Sequence, residues 1–285
     1  MANWQKLGII AGGGALPVRI AASCSERGDD CFIIRLTGFY DAALANLSGV
    51  DCAIGEAGRM LRELKAQNCD AVVLAGIVAR PDFASPNIAR MKLDMRGAAL
   101  LPKVVAASTK GDGALLNVLV EMFESEGLLV VGADDVVQGL IAPVGALGKH
   151  KPSKEDFDDI RKAAALIDAL GPFDMGQGAV VANGLVVAVE AAEGTDAMLS
   201  RCAALLGSKK ANAPIGVLVK RPKPGQELRI DLPTIGPETV RRTHTAGLRG
   251  IAVESGLALV IDSEELVRLA DRDNIFVYGF SASEV

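Results

Sequence analysis

The sequence predicts an α/β protein of two domains, a parallel-sheet domain first and a mixed-sheet domain after it. Three observations carry this expectation. Short aliphatic runs alternate with helical periodicity through the first half, the pattern turns to strands near residue 178, and a stretch rich in Pro and Gly separates the two patterns. The 285 residues suffice for one large domain or two of ordinary size. Half of them are hydrophobic but only 4% are aromatic, so Ala, Val, Leu and Ile must build the core.

Taken in order, Leu7–Ala11 is an apolar strand that breaks into Gly12-Gly13-Gly14, and Ala15 to Arg27 reads as a helix. Strand, glycine turn and helix bring backbone N–H groups and a helix dipole to an anion, which makes this domain Rossmann-like. Gly12, Gly13 and Gly14 are therefore candidate phosphate contacts. Pro17 stands where a third fingerprint glycine would be, which weakens a dinucleotide reading, and a tight turn in a doubly wound sheet explains the glycines equally. Strands are expected at Cys31–Leu36, Asp51–Ile54, Ala71–Ala75 and Leu128–Val131, with helices at 57–67, 97–108 and 114–125. Arg80, in the loop after Ala71–Ala75, lies where such sheets bind ligands. Lys110 and Asp112, in Lys110-Gly-Asp-Gly113, suit a close-approach loop, although Asp112 can equally cap the following helix. No Walker-type loop is present.

The first domain is assigned to residues 1–140, a linker to 141–152, and the second domain to 153–285. Ser153 and Asp156 form a capping pair for a helix to about Leu170. Asn183-Gly184 between two apolar runs is a hairpin signal. The second of those strands ends in Glu190-Ala-Ala-Glu193-Gly-Thr195-Asp196, with Glu190 on the Ala188 face. Helix capping by Thr195 and Asp196 is the plainer reading there. After Ile215–Lys220, the segment Gly225–Pro237 alternates Leu228, Ile230 and Leu232 with Glu227, Arg229 and Asp231, a period of two that predicts a half-buried strand. Paired with Ile215–Lys220 as a hairpin, it would bring Lys220 to Arg229 and Asp231. Glu190, Glu193, Asp196 and Asp231 can then hold Mg²⁺ through oxygen ligands while Lys220 and Arg229 balance phosphate charge. A surface salt bridge between Arg229 and Asp231 is the alternative.

Composition excludes several functions. A net charge of −5, with Lys149-His150-Lys151 as the one His-Lys cluster, argues against nucleic acid as a partner. Five scattered cysteines without a Cys-x-x-Cys fit reduced thiols and neither zinc nor disulfides. Neither a secretory start nor an apolar run of membrane-spanning length is present, so a cytosolic protein is expected, meeting a membrane only from outside the bilayer. His150 and His244 are poorly placed for acid–base work.

Leu7–Pro17, Lys110-Gly-Asp-Gly113, Glu190–Asp196, Val219-Lys220 and Arg229–Gly236 together resemble the LpxI family, over nearly the whole chain. Glu227 departs from the expected Gln-Asp-x-Arg form, which makes it a poor ligand candidate. The resemblance implies UDP-2,3-diacylglucosamine pyrophosphatase activity in lipid A biosynthesis, with Mg²⁺ as cofactor, UMP and lipid X as products, and substrate between two domains. It also implies an essential aspartate, which by motif is Asp231. On this reading Asp231, Lys220 and Arg229 are catalytic, and Gly12, Gly13, Gly14, Arg80, Lys110, Asp112, Thr195 and Thr234 bind substrate. The lipid-linked substrate implies peripheral contact with the inner membrane, and a homodimer stays open. A nucleotide-cofactor oxidoreductase and a non-catalytic sugar-nucleotide sensor are the alternatives.

Overall fold

The structure, a computed structural model, describes residues 4–79, 92–109, 111–207 and 214–285, with only the backbone of Asp112 and Gly207. The chain forms two compact units that divide between Gln138 and Gly139. In the first, the elements run β1 (Leu7–Ala11), α1 (Ala15–Arg27), β2 (Cys31–Leu36), β3 (Gly49–Cys52), α2 (Ala57–Ala66), β4 (Ala71–Ala75), α3 (Met95–Ser108), α4 (Asp112–Glu124), β5 (Leu129–Val131) and α5 (Ala133–Val136). The five strands form one parallel sheet in the order β3-β2-β1-β4-β5. Central β1 is buried throughout, as a parallel strand with both faces covered requires.

Several boundaries differ from expectation by one or two residues, and two of them have a clear local reason. β3 ends at Cys52, not Ile54, because Ala53–Glu56 closes a turn: Glu56 N–H donates to the Ala53 carbonyl and its carboxylate accepts from Ala53 N–H. α4 starts at Asp112, not Ala114; Gly111, at φ +122°, is the cap, so Asp112 is the first helical residue.

The second unit runs β6 (Gly145–Ala146), α6 (Lys154–Leu170), β7 (Gly178–Ala182), β8 (Leu185–Val189), α7 (Gly194–Gly207), β9 (Val217–Lys220), β10 (Thr234–Ile235), α8 (Pro237–Thr245), β11 (Gly250–Glu254), β12 (Leu259–Val260), α9 (Ser263–Arg272) and β13 (Phe276–Phe280). A mixed sheet takes the order β6-β13-β11-β9-β7-β8, with β9, β11 and β13 parallel; β10 and β12 pair separately. Alternation along the strands feeds two cores. Ala179, Val181, Val217 and Val219 pack with Ile160, Ala163 and Ile167 of α6, whereas Val180 and Leu218 join the cluster that includes Met198, Val240 and Leu266 from α7, α8 and α9. The helix α6 begins with the expected reciprocal cap, Ser153 Oγ accepting from Asp156 N–H and the Asp156 carboxylate from Ser153 N–H. Asn183 and Gly184 turn the β7–β8 hairpin at φ +51° and +77°. The turn is held by buried Asp159 of α6, whose carboxylate accepts both turn N–H groups at 2.9 and 2.7 Å.

One expected strand is absent. Residues 227–232 form turns and irregular backbone, not a strand, and make no hairpin with β9. Both edges of β9 are already hydrogen-bonded, one to β7 and the other to β11. Pro222, Pro224 and Pro233 remove ladder donors around the segment. Glu227 instead closes a turn, its carbonyl accepting from Ile230 and Asp231 N–H at 3.3 and 3.2 Å.

Candidate functional site

The carboxyl ends of β8, β9 and β11 lie side by side, because β7 runs antiparallel between β8 and β9. That end of an α/β sheet is where ligand groups collect. Glu190 follows β8, Lys220 ends β9 and Glu254 ends β11; all three are buried polar residues. Lys220 Nζ donates to Thr195 Oγ1 at 2.7 Å, and the Thr195 hydroxyl donates to Glu190 Oε1 at 2.8 Å. Glu190 Oε2 lies 3.9 Å from Lys220 Nζ, and this buried oxygen has no hydrogen-bond partner among the described residues. Thr195 is thus not the cap of its helix; α7 starts at Gly194 and carries Thr195 in its first turn, aimed at the lysine.

Asp231 stands on the loop between β9 and β10. Gln177, just before β7, donates its amide to Asp231 twice, to Oδ1 at 3.0 Å and to the main-chain carbonyl at 3.1 Å. Gln226 donates to the same carbonyl. The Arg229 guanidinium grips Glu227 through Nε at 2.8 Å and Nη2 at 2.7 Å. This pairing holds the Glu227 carboxyl below the usual carboxylate range, against the upward push of desolvation. Glu227, unpromising as a ligand, is the partner that orients Arg229. Arg221 bridges Glu254 at 2.9 Å and Asp168 at 2.8 Å.

The structure therefore brings Glu190, Thr195 and Lys220 together, but the four carboxylates expected around a metal each have other engagements. Glu190 faces Thr195 and Lys220, Glu193 pairs with Arg201 at 2.5 Å, and Asp196 pairs with Arg242 at 3.2 Å. A hydrogen bond from its own main-chain N–H and then Arg201 lower the Glu193 carboxyl. Among the described residues, no group of three or more His, Cys, Asp or Glu is arranged to hold a metal ion. An all-protein Mg²⁺ cage does not fit these donors. A single carboxylate such as Asp231, sharing the ion with phosphate oxygens of a ligand, does. Thr234 lies in β10, its hydroxyl donating to the Leu232 carbonyl at 3.2 Å.

In the first unit, the glycines are explained largely by close approach. Gly12 N–H donates to the Ala75 carbonyl and Gly13 N–H to the Ile77 carbonyl, both at 2.9 Å. A Cβ on Gly12 or Gly13 would lie 2.8 Å from the carbonyl oxygen of Ile77 or Phe39 respectively. The groups left to face an anion are those of Gly14, at φ +88°, and the uncapped first turn of α1. Arg80 and Lys110 lie outside the described residues, as does the side chain of Asp112.

Sequence reasoning missed Gln177, Gln226 and the Arg221–Glu254 pair. A signal for Gln177 existed in its flanking glycines: a Cβ on Gly176 would lie 2.3 Å from the Glu190 carbonyl oxygen, and one on Gly178 2.5 Å from Glu190 Oε2. The neutral amide itself offers no charge pattern to read.

Fold and site together define a two-unit α/β protein whose second unit gathers lysine, arginine and carboxylate groups at the carboxyl ends of its strands, a set suited to an anionic ligand. The chain belongs to the LpxI family: the LpxI N-terminal domain matches residues 6–140 and the LpxI C-terminal domain residues 143–278. It is 46% identical over 282 residues to the UDP-2,3-diacylglucosamine pyrophosphatase LpxI of Caulobacter vibrioides, covering 98% of this chain and 99% of that one. Among the described residues, no helix is long and apolar enough to cross a membrane.

Proposed function

We propose that the chain is a UDP-2,3-diacylglucosamine pyrophosphatase of lipid A biosynthesis, using water to split the diphosphate into UMP and 2,3-diacylglucosamine 1-phosphate (lipid X). The observation that carries this reading is the 46% identity, over nearly the whole of both chains, to a relative of that name. The chemistry at the end of the second sheet supports it. Lys220, buried and oriented by Thr195 and Glu190, is a fixed cation for charge growing on phosphoryl oxygens. Arg229, held by Glu227, is a second. The Asp231 carboxylate aligns the attacking water. No Ser-His or Cys-His pair is invoked, in keeping with direct attack by water.

Mg²⁺ enters the proposal as an ion held by Asp231 together with the substrate's diphosphate, where it would polarise a phosphoryl oxygen. Thr195 and Thr234 are proposed as substrate contacts in the second unit, and Gly14 with the opening of α1 in the first. Because the substrate carries two acyl chains, the protein would collect it at the inner-membrane surface without entering the bilayer.

The test is to incubate the chain with UDP-2,3-diacylglucosamine, with Mg²⁺ or with EDTA, and to follow UMP by phosphorus NMR. UMP release in the Mg²⁺ arm and none with EDTA is expected. No UMP from the wild-type chain in either arm would sink the activity, and equal release in both would remove the metal.

A further inference from the structure

We propose that Gln177 is a positioning residue for this hydrolysis, fixing the Asp231 carboxylate relative to the end of the sheet at which β9 ends in Lys220. The inference rests on the role given to Asp231 above and deepens it.

Asp231 needs such a device because no strand holds it. Its segment belongs to no sheet, so no ladder sets its depth or direction. Gln177 supplies both. Its amide NH₂ faces the Asp231 main-chain carbonyl at 3.1 Å and Oδ1 at 3.0 Å. Two donors on one planar group, shared between the backbone and the side chain of one residue, fix the loop and the carboxylate rotamer together. The second amide, from Gln226, reaches only the carbonyl and belongs to the same loop, so it cannot reference Asp231 to the sheet.

Gln177 is itself anchored to the sheet. Its carbonyl accepts from Arg221 N–H at 3.0 Å, extending the ladder in which Gly178 pairs with Lys220. Gly176 and Gly178 let its backbone pass against Glu190, the carboxylate facing Lys220. One short segment thus touches the support of the lysine on one side and the aspartate on the other. An amide suits the task because it donates to a carboxylate without neutralising it. A lysine or arginine there would compete with the substrate for the same oxygen.

The experiment compares wild type, Gln177→Met, Gln177→Glu, Asp231→Asn and the double variant Gln177→Met/Asp231→Asn in UMP release and thermal unfolding. Gln177→Met keeps the length and removes the donors; Gln177→Glu keeps the shape and sets a carboxylate against Asp231. Both are expected to lower kcat by about 10- to 100-fold, with KM within about threefold of wild type and a folded protein whose Tm falls by no more than a few degrees, the size of loss that follows when the partner orienting a reacting group is removed. The double variant should be no slower than Asp231→Asn alone, since what Gln177 contributes to the reaction is the placing of that carboxylate. Wild-type kcat in folded Gln177→Met or Gln177→Glu, beside an inactive Asp231→Asn, overturns the positioning role alone, as would full additivity in the double variant. Full activity in Asp231→Asn overturns the underlying reading and this inference with it.

Discussion

Lys220 Nζ and Thr195 Oγ1 stand 2.7 Å apart, and the same hydroxyl passes its hydrogen to Glu190 Oε1 at 2.8 Å. A threonine in the first turn of a helix therefore separates a buried ammonium from a buried carboxylate whose nearer oxygen remains 3.9 Å away. Removing the cation leaves the Glu190 charge uncompensated. Lys220→Met is expected to abolish UMP release and to lower unfolding stability in urea by about 3 kcal/mol. Lys220→Met with Glu190→Gln should regain much of that stability without regaining activity. Equal stability of the single and double variants would contradict the pairing.

Asp231 and Glu227 lie four residues apart on one loop but have separate tasks in the proposed reaction. Asp231→Asn should lower kcat by at least about 100-fold, the loss expected when a group that aligns or deprotonates water is removed. Glu227→Gln leaves Asp231 in place and loosens Arg229, so its loss should stay below about tenfold. Steady-state kinetics on both variants decide the matter: comparable losses would place Glu227 in the reaction itself.

The same ion pair fixes a pH signature. Arg229 lowers the Glu227 carboxyl in the folded chain, so the proton binds less readily folded than unfolded. The stability this contributes is present above the unfolded value of about 4.3 and is lost as pH falls through the lower folded value. The pair is partly exposed, at 37% for Arg229 and 20% for Glu227, which limits its worth to below about 1 kcal/mol. The difference in unfolding free energy between wild type and Glu227→Gln should be flat above pH ~5 and shrink at more acid pH. A difference that grew on acidification would reverse the sign argued here.

The thiols should differ sharply in reactivity. A hydrogen bond from Cys24 lowers the Cys31 thiol, while Cys24 is raised by that same bond and by burial. Burial pushes Cys69 and Cys202 up to about 11 and raises Cys52. Iodoacetamide at neutral pH followed by peptide mass spectrometry should find Cys31 modified first, since the thiolate is the nucleophile. Earlier labelling of Cys202 would contradict this order.

Much of the fold was legible because its signals are local. Leu7–Ala11 has to be a covered strand wherever it goes, Ser153 and Asp156 cap one helix whatever packs on it, and Asn183-Gly184 suits one kind of turn. The segment 227–232 shows the limit. Leu228, Ile230 and Leu232 do alternate, but whether an alternating segment becomes a strand depends on a free edge to pair with. β9 has none, being flanked by β7 and β11. The sites divide in the same way. Lys220 and Glu190 stand out as charges at strand ends, whereas the link through Thr195 depends on where α7 begins. Gln177 has no charge or periodicity to reveal it; its flanking glycines mark a close approach to Glu190, but what the amide does shows only in its contacts with Asp231.

The grip of Asp159 on the Asn183-Gly184 turn reaches further than the turn. That carboxylate fastens the closed end of the β7–β8 hairpin to α6, while Gln177 and Glu190 occupy the open end. A slip of one strand past the other would drag the glutamine away from the glutamate, and with them the separate contacts each makes with Asp231 and with Lys220. The helix beneath the sheet thereby acts as a distant tether for the groups proposed to react, and damage there would be felt about one strand length away.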